Sequence, residues 1–243
     1  GARLSAQPPP TGTRRALMPH VAVAVVFGLF GLVVGSFLNV CVYRLPRHES
    51  VVWPGSKCTS CLRSLHWFEN IPVVSWLVLR GRCRVCKTPI SIMYPGVEIP
   101  TGFAFAGSYL VYGMQPLLVV RLAFACAMIV LFAIDYRHRI LPDVITLPGI
   151  IIGFGASLVL PPGPIASLIG IVAGGGALFL INEAYYRIRG HEGLGMGDVK
   201  MLAMIGAFLG WRLMLVTLFL GSLSGSVLGL ALIAFRRGGM KSA

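Results

Sequence analysis

Three aspartates occur in this sequence, and two of them, Asp135 and Asp198, stand where apolar runs meet polar ones. Asp135 closes the run ending in Phe132-Ala133-Ile134. Asp198 opens another, in Gly195-Met196-Gly197-Asp198-Val199-Lys200. A carboxylate in a membrane span costs about 2.5–3.5 kcal/mol at the helix centre, so one placed there points to function. Two carboxylates sharing one proton can perform aspartic proteolysis, one taking a proton from water while the other gives one to the carbonyl. Proximity splits their titration and keeps one of them protonated. Glycines around Asp198 let the backbone bend and a substrate come close. The same pair could carry protons in a transporter, or simply stand at helix ends in water. Asp198 suits a helix N-terminus, whereas the macrodipole disfavours Asp135 at a C-terminus. Asp143 follows Leu141-Pro142, and proline followed by aspartate reads as an ordinary helix start.

The second group is a set of four cysteines. Cys58-Thr59-Ser60-Cys61 and Cys83-Arg84-Val85-Cys86 are two C-x-x-C pairs in one polar loop. Each pair can present two thiolates to one metal, and two pairs complete a tetrahedral site. Zinc is the expected ion for four thiolates. Its role is structural, because four thiolates leave no open position for a catalytic water. Disulfides or redox chemistry are the alternative, and a cytoplasmic position for the loop disfavours structural disulfides. Cys41 and Cys126 lie in apolar segments and read as small hydrophobes. Glu183 and Arg187 are a local i,i+4 pair. Ser36 and Asn39 are small polar residues in a span, suited to bonding across helices. His138 and His191 lack ligand-like spacing and read as solvated.

These groups must be held by membrane helices. Of the 243 residues, 56% are hydrophobic and 12% charged, with a mean hydropathy of +0.81. A helical span needs about 20 apolar residues. Apolar segments run over about 19–42, 97–112, 117–134, 144–160, 165–185 and 199–235, and Gly210-Trp211-Arg212 is a plausible turn dividing the last. The expected fold is an all-α polytopic membrane protein of about seven transmembrane helices, with a small zinc-stapled cytoplasmic loop domain. A proline-rich start, Gln7-Pro8-Pro9-Pro10, and no small-residue cleavage site make the first run a retained span, not a signal peptide. The expected organisation is a flexible arm over 1–18, a first transmembrane helix over 19–43 and a cysteine-rich domain over 44–94. A transmembrane domain carrying both aspartates over 95–236 and a basic tail over 237–243 complete it. Gly174-Gly175-Gly176 marks a close helix contact or a weak point.

Net charge is +13. The basic residues cluster between apolar segments, which sets topology. With seven spans and the N-terminus outside, 16 of the 21 Lys and Arg fall on the cytoplasmic side, together with Asp135, Asp198 and the cysteine loop. The basic N-terminal arm is discordant. No basic stripe interleaves with exposed aromatics, so no nucleic-acid partner is expected.

Five motifs in order resemble the bacterial type IV prepilin peptidases (prepilin leader peptidase/N-methyltransferases), and the resemblance covers nearly the whole chain from about Gly28. They are Gly35-Ser36-Phe37-Leu38-Asn39-Val40 running into Tyr43-Arg44-Leu45-Pro46, and the paired C-x-x-C. Then come Glu69-Asn70-Ile71-Pro72 with Ser75-Trp76-Leu77, Arg80-Gly81-Arg82-Cys83 and Tyr94-Pro95-Gly96-Val97-Glu98. Asp135 with Leu141-Pro142-Asp143 is next. Gly195-Met196-Gly197-Asp198 with Lys200-Met201-Leu202-Ala203 is last. The resemblance implies a GxGD-type aspartic protease of the inner membrane, with Asp135 and Asp198 as its catalytic pair. It implies cleavage of prepilin and pseudopilin leaders after a glycine, then methylation of the new N-terminus with S-adenosylmethionine. It ties the cysteine loop to methyl transfer without assigning Glu69, Asn70, Gly81 or Glu98. The loop has no glycine-rich nucleotide fingerprint. Many members of the family have a further hydrophobic segment after the basic stretch at which this sequence ends, Lys241-Ser242-Ala243. The arm before about Gly28 matches no family motif. The rival readings are a proton-coupled transporter, which should show internal repeats that are not found here, and a non-catalytic pilin assembly platform.

Overall fold

A computed structural model describes residues 11–190 and 195–239, with side chains over 20–190 and 195–233. His191, residues 1–10 of the expected arm and residues 240–243 of the basic tail lie outside it. Seven α-helices follow in order: α1 (Thr11–Arg44), α2 (Val74–Val78), α3 (Met93–Tyr112), α4 (Pro116–His138), α5 (Asp143–Ser157), α6 (Pro164–Arg189) and α7 (Met196–Gly239). Helices are what a chain this apolar must form, because lipid offers backbone groups no hydrogen-bond partners. Their ends follow local chemistry. Pro116 and Pro164 stand at the first turns of α4 and α6, where a missing N–H costs nothing. Gly190 closes α6 in the left-handed region (φ 73°), its N–H bonded to the Tyr186 carbonyl.

Four helical stretches among the described residues are long and apolar enough to cross a bilayer: His20–Arg47, Pro116–His138, Pro164–Arg189 and Met196–Ile233. That is fewer than the seven expected. α5 has 15 residues, and α3 is diluted by Glu98 and interior Pro100. α7 runs on as 44 residues through a break at Gly210 (φ 75°, ψ 169°), where the sequence suggests a turn.

The chain divides into two compact units, Gly1–Ile140 and Leu141–Ala243. In the first, α1 packs on α3 and α4. A Cβ on Gly31 would lie 2.8 Å from the Thr101 carbonyl oxygen, and one on Gly35 would lie 2.7 Å from Glu98 Cα. Small residues therefore set this approach, as in membrane helix pairs generally. Asn39 Nδ2 donates to the Tyr94 carbonyl at 3.0 Å, the cross-helix bond expected of it.

In the second unit, the first half of α7 packs on α5 and α6. Seven consecutive residues, Leu202 to Phe208, are buried. Ser167 donates to the Ala207 carbonyl at 2.8 Å, and a Cβ on Gly174 would lie 2.9 Å from the Leu202 carbonyl oxygen. Beyond Gly210, most described residues of α7 are exposed.

Candidate functional site

The two C-x-x-C pairs form matching knuckles. Cys58 N–H bonds to the Arg63 carbonyl and Leu62 N–H to the Cys58 carbonyl. Cys83 N–H bonds to Thr88 and Lys87 N–H to Cys83 in the same pattern. Each knuckle turns through a left-handed residue directly after its second cysteine, Leu62 (φ 57°) or Lys87 (φ 58°). The four Sγ atoms lie within 4.8 Å of one another, with Cys58 and Cys86 3.8 Å apart. Four sulfurs each about 2.3 Å from one ion would stand roughly 3.8 Å apart, so the donor set fits a single tetrahedral metal. The electrostatics agree. The Thr88 hydroxyl and N–H beside Cys86 Sγ bring its thiol down to about 6, and the Cys86 and Val85 amides lower Cys83. Cys61 is held up at about 11: the Arg63 amide lowers it, but the crowding Cys58 and Cys86 sulfurs and burial outweigh that. A divalent cation at the centre relieves this conflict.

Roles now attach to the loop residues that the sequence left unassigned. Glu69 Oε1 meets Arg63 Nη2 at 2.7 Å, and Oε2 accepts the His66 N–H at 2.9 Å, capping a 3₁₀ turn over Trp67–Asn70. The Arg63 guanidinium and the His66 N–H hold the Glu69 carboxyl at about 2. Arg63 also faces the Cys83 sulfur, so Glu69 braces the cysteine cluster through one intermediary. Gly81 (φ 64°) lies against the Trp76 ring, where a Cβ would sit 3.0 Å from Cζ2. Trp76 is further fixed by its indole N–H, which donates to the Ile90 carbonyl at 3.2 Å. Asn70 Nδ2 donates to Ser56 Oγ at 3.2 Å. Glu98 Oε2 accepts the Val73 N–H at 2.7 Å, pinning the loop to α3. Between loop and helices lies a cavity of about 940 Å³, lined by Asn39, Asn70, Trp76, Tyr94 and Glu98 among others.

Asp135 is exposed in the last turn of α4, its carbonyl capped by the Arg139 N–H at 2.8 Å. Asp198 is half-buried in the first turn of α7, its N–H bonded to the Gly195 carbonyl at 3.0 Å. The two aspartates belong to different compact units. Within the second unit, two sequence motifs meet. A Cβ on Gly197 would lie 2.8 Å from Leu141 Cβ, and Lys200 Nζ donates to both Asp143 oxygens at 2.7 and 2.8 Å. The helix-start reading of Asp143 holds, since it opens α5 after Pro142. Sequence reasoning missed the pairing because its partner is 57 residues away.

Fold and site define a class: an all-helical, multi-pass membrane protein with a four-cysteine cluster able to bind a metal. The comparisons take it further. Residues 29–112 match the Bacterial Peptidase A24 N-terminal domain, and residues 122–230 match the Type IV leader peptidase family. A prepilin leader peptidase/N-methyltransferase of Myxococcus xanthus is 40% identical over 90% of this chain and 66% of its own length. Those of Pseudomonas putida and Aeromonas hydrophila are 36% and 35% identical. The matches cover 88% and 90% of this chain and 83% and 84% of theirs. The chain thus spans just under two thirds of the Myxococcus protein and about four fifths of the others. No solved structure matches it. The chain belongs to the prepilin leader peptidase/N-methyltransferase family, peptidase A24.

Proposed function

We propose that this protein removes the leader peptide from type IV prepilins and pseudopilins after a glycine and methylates the new N-terminus. Family membership supports both activities over the transporter and platform readings. The observation that carries the peptidase half is the docking of Leu141-Pro142-Asp143 on Gly197-Asp198-Val199-Lys200, which fixes Asp198 at the start of α7.

Asp135 and Asp198 are the catalytic pair. The ionised one takes a proton from water, which attacks the scissile carbonyl. The protonated one donates to the carbonyl oxygen, and the proton then passes to the leaving amine. The substrate is a hydrophobic helix already in the bilayer, so carboxylates at the membrane boundary meet the junction just outside it. Seven spans fit this arrangement if α1, α3, α4, α5, α6 and the two halves of α7 all cross. The positive-inside bias then puts both aspartates and the cysteine loop in the cytoplasm, at the inner membrane. Cys58, Cys61, Cys83 and Cys86 hold a structural zinc ion. S-adenosylmethionine, as methyl donor, supplies an electrophilic methyl group on a sulfonium sulfur.

The test is cleavage of a purified prepilin in lipid by wild type, Asp135→Asn and Asp198→Asn. Wild type should cut after the leader glycine. Each variant should fold and lose at least about 100-fold in rate. Equal cutting by all three would make the carboxylates structural and end the dyad assignment.

A further inference from the structure

The cavity between the cysteine loop and the ends of α1, α3 and α4 is lined by neither Asp135 nor Asp198, although Arg137 and His138 of α4 stand in its wall. At about 940 Å³ it is at the upper end of the size of small-molecule sites, roughly 300–1,000 Å³. Its walls differ in chemistry. On the loop side stands the Trp76 ring, immobilised by its bond to Ile90 and by the bare backbone of Gly81. A fixed aromatic face of this kind suits a nucleobase. On the membrane side stands Glu98, 5% exposed. It accepts hydrogen bonds from Val73 and Ser36 and forms no salt bridge among the described residues. A buried carboxylate is normally paired with a cation. Two other charged groups along the cavity are engaged, Glu69 by Arg63 and Arg44 by the Ser50 and Pro54 carbonyls, while Arg47, Glu49, Lys57, Arg84 and Arg137 also line it.

We infer that this cavity is the methyl-donor site, with Trp76 receiving the adenine, and that Glu98 is the base that binds and deprotonates the substrate's new N-terminal ammonium. The inference rests on the methyltransferase half of the proposed function. An α-ammonium has a pKa near 7.7–8.0 and is largely protonated at neutral pH, so it cannot act as a nucleophile until it gives up a proton. Glu98 takes that proton. The freed nitrogen lone pair forms the new bond to the methyl carbon. The carbon–sulfur bond breaks with its electron pair left on sulfur, so the sulfonium becomes a neutral thioether. The methylated amine keeps the positive charge, and Glu98 returns its proton to water through the open cavity. Glu98 lies one turn and a half into α3, so an amine at the tip of a bilayer-embedded helix can reach it without leaving the boundary.

The test uses the zinc-loaded full chain in lipid nanodiscs, with two readouts. One is S-adenosylhomocysteine binding by calorimetry. The other is methylation of a synthetic, already cleaved pilin peptide beginning with phenylalanine, which needs no protease step. Trp76→Ala should weaken S-adenosylhomocysteine binding at least about tenfold. Glu98→Gln keeps the acceptor for Val73. It should leave binding unchanged and lower peptide methylation at least about 100-fold. Wild-type binding by Trp76→Ala would place the donor elsewhere. Wild-type methylation by Glu98→Gln, or its loss of binding as well, would make Glu98 structural and remove it as the base. A wild-type chain that neither binds nor methylates would overturn the methyltransferase reading itself, and the inference with it.

Discussion

Leu62 and Lys87 hold left-handed backbone conformations that L side chains rarely adopt, each directly behind the second cysteine of its knuckle. An unbranched or γ-branched residue tolerates this at modest cost, while a β-branched one does so only at a higher cost. Lys87→Val should therefore weaken the proposed zinc site by about 1 kcal/mol or more, and Lys87→Gly should not. Competition with a chromogenic chelator separates the two. Glu69 acts one bond further out. Its carboxyl, at about 2 in the fold, lies below the ~4.3 of a free glutamate. The stabilisation this represents is complete above the free value and is lost only as pH falls through about 2. Glu69→Gln should cost about 10- to 100-fold in zinc affinity, as bracing groups of metal sites do. Because Glu69 stays ionised throughout, that loss should be the same at pH 6 and pH 8. A loss that vanished at either pH would assign the effect to another group. At this scale the sequence was legible where partners are close along the chain, as in each C-x-x-C knuckle or the Glu183–Arg187 pair at 2.8 Å. It was illegible where folding supplies the partner, as for Asp143 with Lys200 and Glu98 with Val73.

Helix α7 shows what hydropathy can and cannot tell at the level of an element. Its apolar stretch was readable, and so was the break at Gly210, where a residue without a Cβ takes φ 75° against Pro162. Hydropathy could not show that the half before Gly210 is buried in protein while the half after it is exposed, because both are predominantly apolar. Small residues occur in both halves, and among the described residues only those before Gly210 meet a neighbouring backbone. The backbones of α6 and α7 touch at Gly170 and Gly206, and a Cβ on Gly170 would sit 2.5 Å from the Gly206 carbonyl oxygen. Gly176, in the same helix as Gly170, has open space where its Cβ would be. Gly170→Ala should thus force α6 and α7 apart and destabilise the protein by about 1–3 kcal/mol. Gly176→Ala should be neutral or slightly stabilising, since alanine is the better helix former. Thermal unfolding of both variants in one detergent decides this. Equal midpoints would mean the close contact is not a determinant of stability.

Taken whole, the molecule joins membrane helices, which bury backbone polarity within themselves, to a loop of about fifty residues with almost no interior. From residue 44 to 94 only Glu69, Gly81 and Cys83 are buried, while Trp53 and Trp67 stand 78% and 81% exposed. One short helix, short 3₁₀ turns and two isolated bridges are its regular structure. Such a segment buries little apolar surface against the entropy of ordering it, and the proposed structural zinc would contribute on the order of 10 kcal/mol. The helices need no such help. Stripping the metal should accordingly leave far-UV helix content nearly intact and prepilin cleavage largely preserved. The loop should become sensitive to protease, and S-adenosylhomocysteine binding should be lost, because one wall of the cavity is the loop itself. Zinc addition should restore both. Cleavage that fell in step with methylation would show that the loop also shapes the peptidase site. A loop equally protease-resistant with and without metal would show that its packing on α1 and α3, through Arg44 and Glu98, is sufficient to order it.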